Sequence, residues 1–368
     1  MTRSTRMICV LALLLPGIAS GANACTDFQV KADDGTIVIA RANEYAMDAH
    51  SQIVFEPAGK QFITNAPGGE KGLSWKSHYA YLGINGLGLE ENFIEGMNEA
   101  GLSVEGLMFP EAVYETVDPN DEVKALSILD IGSWILGNFA TISELKEQLP
   151  KIRVWGETIP GFSATLPLHF AVHDAAGNNI VIEFINGEKK VYDNPIGVMT
   201  NMPDLPWQIT NLRNYLGIDA FNPPEKDFRG VALKPFSTAT GWRLIPGDWS
   251  APSRYVRIAY QVNMVSPVKD GNAALNLAKH ILNTVDIPLG TIKAKMPPAG
   301  SIEAEYTQWS TLKDLTNRVL YYYAYDNMNI RAIDLKKLVS DHTANSKIIT
   351  MAEGFAFTDM TNGMADKK

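Results

Sequence analysis

The 368-residue chain has little cysteine: two residues, Cys9 and Cys25. If Cys9 is lost with a leader, the body retains a single thiol and no internal disulfide is possible. A lone thiol in an oxidising compartment is prone to oxidation unless it has a use. Histidine is also scarce. His50, His78, His169, His173, His280 and His342 are scattered, with no helical pair of the kind that holds zinc. His169 and His173 are four apart, but they fall in a segment that reads as a strand, so each histidine is expected to be structural and no metal or cofactor is expected. Basic residues are outnumbered, 32 Lys and Arg against 41 Asp and Glu, for a formal net charge of −9. With no basic run interleaved with aromatics, nucleic-acid phosphate is a poor partner. No linker, repeat or low-complexity tract divides the chain. The apolar run Met7–Leu15 is shorter than the ~20 residues a membrane helix needs.

That short run belongs to a recognisable pattern. Arg3 and Arg6 precede it, Pro16 and Gly17 break it, and Ala22-Asn23-Ala24 presents a small-x-small cleavage signal just before Cys25. Residues 1–24 are therefore read as a cleaved signal peptide and residues 25–368 as one domain, exported to the periplasm or secreted. An uncleaved anchor is the alternative. A lipidated Cys25 is another, and Ala22 and Asn23 stand where a lipoprotein signal carries a large aliphatic and a small residue. A cysteine at a mature N-terminus brings its own base. Its α-amine has a reference pKa of about 7.7–8.0 and can take the thiol proton without a histidine.

With 46% hydrophobic and 20% charged residues, the body has material for a sizeable core. Alternating residues around Asp33-Asp34-Gly35 predict a hairpin that brings Cys25 and Arg41 to the same end of a sheet. Further strands are expected at Tyr79–Ile84, Phe93–Met97, Leu102–Met108, Leu168–His173, Asn179–Phe184 and Gly197–Thr200. The helical period of Ala125–Phe139 predicts one helix. Thr141-Ile142-Ser143-Glu144 is a capping box that starts a second, ended by Pro150. Asn222–Gly230 reads as a long loop. Strands, a helical block and more strands suggest segregated layers.

Several segments, in order, resemble one family. They are Cys25-Thr26, Ala40-Arg41, Gly96–Leu102, Gly106–Pro110, Gly197–Asn201, Leu244–Asp248, Pro252-Ser253-Arg254 and Tyr321–Tyr323. Each is weak singly, but the ordered set is similar to the choloylglycine hydrolases, which include bile salt hydrolases and penicillin V acylases. The resemblance implies an α+β fold, the four-layer αββα sandwich of N-terminal-nucleophile hydrolases, and cleavage of linear amide C–N bonds. It also implies Cys25 as nucleophile, Arg41 as the cation beside it, Asn201 as an oxyanion donor and Arg254 completing the constellation. Glu44 stands where the family has aspartate, so its contact with the Cys25 amine is kept, shifted or lost, and Asp48 is a nearby substitute. Met108 stands where asparagine or tyrosine is usual, which points to substrate choice. The substrates left open are penicillin V-like compounds, N-acyl homoserine lactones and conjugated bile salts, with a homotetramer by analogy through residues 210–250. The rival readings are a catalytically decayed member and a lipid-anchored binding protein. Trp134, Trp207, Trp242 and Trp309 are read as core or interface residues.

Overall fold

A computed structural model of the chain describes residues 24–159, 165–296, 301–341, 345–351 and 354–363. The expected leader therefore lies outside the described residues except for Ala24, as does His342.

The predicted hairpin is present. Strand Cys25–Lys31 pairs antiparallel with Ile37–Tyr45, placing Cys25 opposite Asn43 and Asp27 opposite Arg41. Its turn forms because Gly35 adopts φ +89° and Asp34 Oδ1 accepts the Thr36 N–H at 2.9 Å. The second strand outruns its apolar stretch, so Arg41 sits within it rather than at its end. Arg41, Asn43 and Glu44 are polar yet buried, which hydrophobic alternation does not anticipate.

This hairpin lies within a seven-stranded sheet. Its order is Val198–Met199, Cys25–Lys31, Ile37–Tyr45, Ser301–Asp314, Val319–Ala324 and Asn327–Asp334, with Ile292–Met296 also paired to Ser301–Asp314. An eight-stranded sheet runs Glu188–Asp193, Asn179–Ile185, Leu168–Asp174, Leu102–Met108, Glu95–Asn98, Tyr81–Ile84, Gln52–Glu56 and Lys347–Thr350. Helices Ala251–Met264 and Gly271–Leu282 cover the first sheet, while Ile131–Asn138 and Ile142–Gln148 cover the second. The result is the expected αββα order of layers. Phe28, Val30, Val38, Ala40 and Ala42 share a core with Tyr255, Ile258 and Ala274 of the outer helices. On the far side, Val104, Phe170 and Val172 pack on Trp134, Ile135 and Leu136. With alternate residues committed to the helices, Cys25, Asp27, Arg41 and Asn43 are left to point between the sheets.

Two expected elements differ. Ala125–Phe139 is not one helix: Ala125–Ser127 is a strand parallel to Arg153–Trp155, and the helix is Ile131–Asn138. Ser127 Oγ accepts the Leu129 N–H at 3.1 Å and turns the chain, while burial of both pieces lets apolar residues run across the break. The expected loop 222–230 contains half of a small hairpin, Lys226–Phe228 with Val231–Leu233, turned by Arg229 and Gly230 at φ +59° and +87°. The capping box is as expected. Thr141 Oγ1 accepts from Glu144 N at 3.2 Å, Glu144 Oε2 accepts from Thr141 N at 3.3 Å, and the helix ends at Gln148 before a 3₁₀ turn containing Pro150.

Candidate active site

Cys25 opens the first strand at the bottom of a pocket, and its thiol is met by Arg41, whose Nη2 lies 3.7 Å from Sγ. Asn43 Oδ1 and the Glu44 carbonyl oxygen stand 3.9 and 4.0 Å from the same sulfur. Burial pushes the thiol above its ordinary value, and Arg41 is the strongest opposing charge.

Arg41 is held from three sides. It donates to Gly106 O at 2.5 Å, pairs with Glu95 Oε2 at 2.9 Å, and lies 5.3 Å from the ring centre of Trp309. Burial works against its charge, but Glu95, Cys25, Glu44 and Asp27 together hold the guanidinium proton above its ordinary value. Glu95 in turn receives Lys313, and Lys313 lies 3.2 Å from Glu105. His173 Nε2 lies 2.9 Å from Asp27 Oδ2 and 3.7 Å from Glu105. Three carboxylates thus meet Arg41, Lys313 and His173 between the sheets, all fully buried. Among the described residues, only Asp27, Glu105 and His173 have the spacing of a metal site, within 4.8 Å of one another, and the Lys313 ammonium already provides a cation against Glu105.

The other side of Cys25 is walled by Asn201, just after the edge strand Val198–Met199, and by Arg254, in the first turn of helix Ala251–Met264. Arg254 donates to Cys25 O at 2.5 Å, Thr26 Oγ1 at 2.7 Å, Asn201 Oδ1 at 2.6 Å and Trp249 O at 2.9 Å. With its oxygen fixed by Arg254 and by the Cys25 N–H at 2.9 Å, the Asn201 amide can point only its NH₂ group elsewhere. One of those hydrogens goes to Met108 O at 2.7 Å, leaving the second as a free donor. The quoted Leu244–Asp248 and Pro252-Ser253-Arg254 segments explain why Arg254 is placed so firmly. Ser253 Oγ donates to Asp248 Oδ2 at 2.7 Å, and Arg257 ties down Pro246 O and Asp248 O at 2.8 and 2.7 Å.

Glu44 is buried next to this group, but its carboxylate accepts from Thr307 Oγ1 at 3.0 Å while the Cys25 nitrogen donates to Asn201. With Ala24 still attached, Cys25 N is a peptide amide and Glu44 makes no hydrogen bond to it. Burial raises the Glu44 carboxyl to about 8, against the pull of Arg254. Asp48 is no substitute: it is exposed and pairs with His50. Trp134 and Trp309 are core residues, and Trp309 also backs Arg41, whereas Trp207 is largely exposed.

Every sequence candidate except Asp48 thus converges on Cys25. Glu95, Lys313, Trp309 and Glu305 also belong to the surroundings, and sequence reading misses them. Lys313, Trp309 and Glu305 lie on strand Ser301–Asp314, which is buried on both faces over most of its length yet too polar to register as a strand. A bulge between Thr307 and Trp309 also breaks the period-two alternation that would mark it.

The pocket above the sulfur has an empty volume of about 750 Å³, open mouth included. Leu87, Leu89, Phe93, Met108, Leu129 and Phe170 are among the largely apolar residues lining it. Arg41, Asn43, Glu44 and Asn92 are its main polar groups, and all but Asn92 cluster at the cysteine.

Residues 25–348 match the family described as linear amide C-N hydrolases, choloylglycine hydrolase family. The chain is 31% identical over 74% of its length to a bile salt hydrolase/transferase of Lactiplantibacillus plantarum, covering 82% of that protein. It is 25% identical to a penicillin V acylase of Pectobacterium atrosepticum, over 90% of this chain and 86% of that one. A crystal structure of a conjugated bile acid hydrolase variant from Clostridium perfringens superposes with a TM-score of 0.77 at 26% identity, covering 91% and 99% of the two chains. On the match across the whole αββα body, this chain belongs to the choloylglycine hydrolase family and is an enzyme of the linear amide C–N hydrolase class.

Proposed function

We propose that the chain is exported to the periplasm or beyond, that residues 1–24 are removed, and that Cys25 then acts as an N-terminal nucleophile on N-acyl amides with a neutral apolar acyl group. The observation that carries this reading is the thiol beside Arg41 at the bottom of an apolar pocket. The α-amine takes the thiol proton, and Arg41 favours the thiolate. Sulfur attacks the carbonyl, and the free Asn201 N–H, with a backbone N–H near Met108, receives the oxyanion. The ammonium returns its proton to the leaving amine, giving a thioester. Water, deprotonated by the same amine, hydrolyses the thioester to a carboxylic acid.

The pocket supports a choice among substrates. Among the described lining residues Arg41 is the one cation and is already paired, so a charged acyl tail finds no partner there. The ring hydroxyls of a conjugated bile salt have few acceptors beyond Asn92. An aryloxy or aliphatic acyl group, as in penicillin V-like compounds or N-acyl homoserine lactones, matches the Met108 side of the pocket better. Each methylene buried contributes about 0.8 kcal/mol, so kcat/KM is expected to rise about fourfold per CH₂ along an N-acyl series until the pocket is filled. Acetyl and decanoyl amides cleaved at equal rates would contradict this assignment.

The assembly is proposed to be a homotetramer. Support comes from residues 210–250, which expose Leu216, Phe221, Phe228, Val231, Leu233 and Phe236. Light scattering is expected to give four times the chain mass, and a monomer mass would remove this part of the proposal.

A further inference from the structure

Two buried carboxylates lie near the start of the strand that opens with Cys25. Glu44 is one. The other is Glu305, fully buried on the neighbouring strand Ser301–Asp314, whose Oε1 accepts the Ala24 N–H at 2.5 Å. Ala24 is the residue just before the nucleophile, and its carbonyl oxygen accepts the Glu44 N–H at 3.1 Å. The Glu305 carboxylate and the Glu44 backbone thus both meet the junction between residue 24 and Cys25, and the Glu44 carboxyl is buried close by on Thr307. The second oxygen of each, Glu44 Oε2 and Glu305 Oε2, is buried without a hydrogen-bond partner among the described residues.

The local charges do not balance in the uncleaved chain. Facing these carboxylates are Arg254 from helix Ala251–Met264, Thr307 from Glu305's own strand, Tyr323 from the next strand, and Arg41 and the thiol of Cys25 from the hairpin. Arg41 is paired with Glu95. Arg254 spends its hydrogen bonds on Cys25, Thr26, Asn201 and Trp249, none of them a carboxylate. Hydrolysis of the bond between residues 24 and 25 consumes one water, removes the Ala24 N–H from Glu305 and creates an α-ammonium on Cys25. The added charge makes two cations, this ammonium and Arg254, for two carboxylates.

We propose that Glu305 is a positioning residue of the mature enzyme: together with Glu44 it clamps the Cys25 α-ammonium and sets the geometry and basicity of the amine that serves as base. This rests on the reading of Cys25 as the mature N-terminus. Burial supports it, raising Glu305 to about 7 and Glu44 to about 8 while Arg254 opposes both, so a new cation would find two carboxylates whose ionised forms it stabilises.

The test uses mature wild-type protein, Glu305→Gln and Glu305→Asp, each first weighed intact. The rate of Cys25 alkylation by iodoacetamide is then followed against pH. Loss of a negative charge makes both the ammonium and the thiol release protons more readily. The Glu305→Gln midpoint is expected about one pH unit below wild type, and Glu305→Asp, with its carboxylate drawn back, about 0.3 unit below. If Glu305→Gln does not accumulate, the Glu305→Asp shift decides. Midpoints equal to wild type, on proteins whose mass begins at Cys25, overturn the role of Glu305 alone. A wild-type mass that does not begin at an unmodified Cys25 overturns the N-terminal reading, and this role with it.

Discussion

Replacing Cys25 with alanine is expected to lower turnover of an acyl amide by about 10⁶-fold, the size of loss seen when a covalent nucleophile is removed. The side chain is small and its sulfur makes only long contacts, 3.7 Å to Arg41, 3.9 Å to Asn43 and 4.0 Å to Glu44. Removing it breaks no short hydrogen bond, so the thermal midpoint should hold while activity disappears. Arg41, Asn201 and Arg254 remain in place in that variant, and what activity survives reports what the pocket and its donors achieve without covalent catalysis. A Cys25→Ala protein that retains a tenth of wild-type activity would show that the thiol is not the nucleophile.

Arg254→Met is expected to damage both stability and rate. The guanidinium is fully buried and joins four acceptors that otherwise have no common support: two backbone carbonyls, the Thr26 hydroxyl and the Asn201 amide oxygen. Its loss also removes the nearby cation opposing the burial of Glu44 and Glu305. Breaking a buried charge arrangement from one side typically costs about 3–5 kcal/mol, readable as a lower urea midpoint. Below that midpoint the enzyme should still be about 10³-fold slower, because an unclamped Asn201 can rotate its NH₂ group away from the developing oxyanion, where one donor alone is worth about 10²–10³. Arg254→Lys should not rescue it, since a point charge cannot span Cys25 O, Thr26 Oγ1 and Asn201 Oδ1 at once. An Arg254→Met enzyme with wild-type rate at low temperature would remove Arg254 from the site.

Much of this was legible in the chain itself. The hairpin followed from alternation around Asp33-Asp34-Gly35, and the capping box at Thr141 fixed a helix start to the residue, because both are local physics. Cys25, Arg41, Met108, Asn201 and Arg254 were found because short segments around them stand in a family order. The rest depended on long-range register. Ser301–Asp314 lies in the middle of the first sheet, yet a bulge after Thr307 puts Glu305 and Thr307 on one buried face and Thr311 and Lys313 on the other, giving both the composition of an exposed strand. No local rule says that Lys313 will meet Glu95 and Glu105 on the opposite sheet, or that Glu305 will meet Ala24. The 125–139 segment misled for the opposite reason, since its apolar residues run through a buried strand and a buried helix alike and their spacing does not mark the break between them.

The central claim is that Cys25 becomes a free N-terminal nucleophile. The most direct test is the intact mass of the protein recovered from its export compartment, before and after a thiol-directed acyl probe. The account predicts a mass beginning at unmodified Cys25 and one probe equivalent added, absent in Cys25→Ala. A retained leader, or a Cys25 whose amine carries a lipid, would contradict it, because the amine that must act as base would not be free.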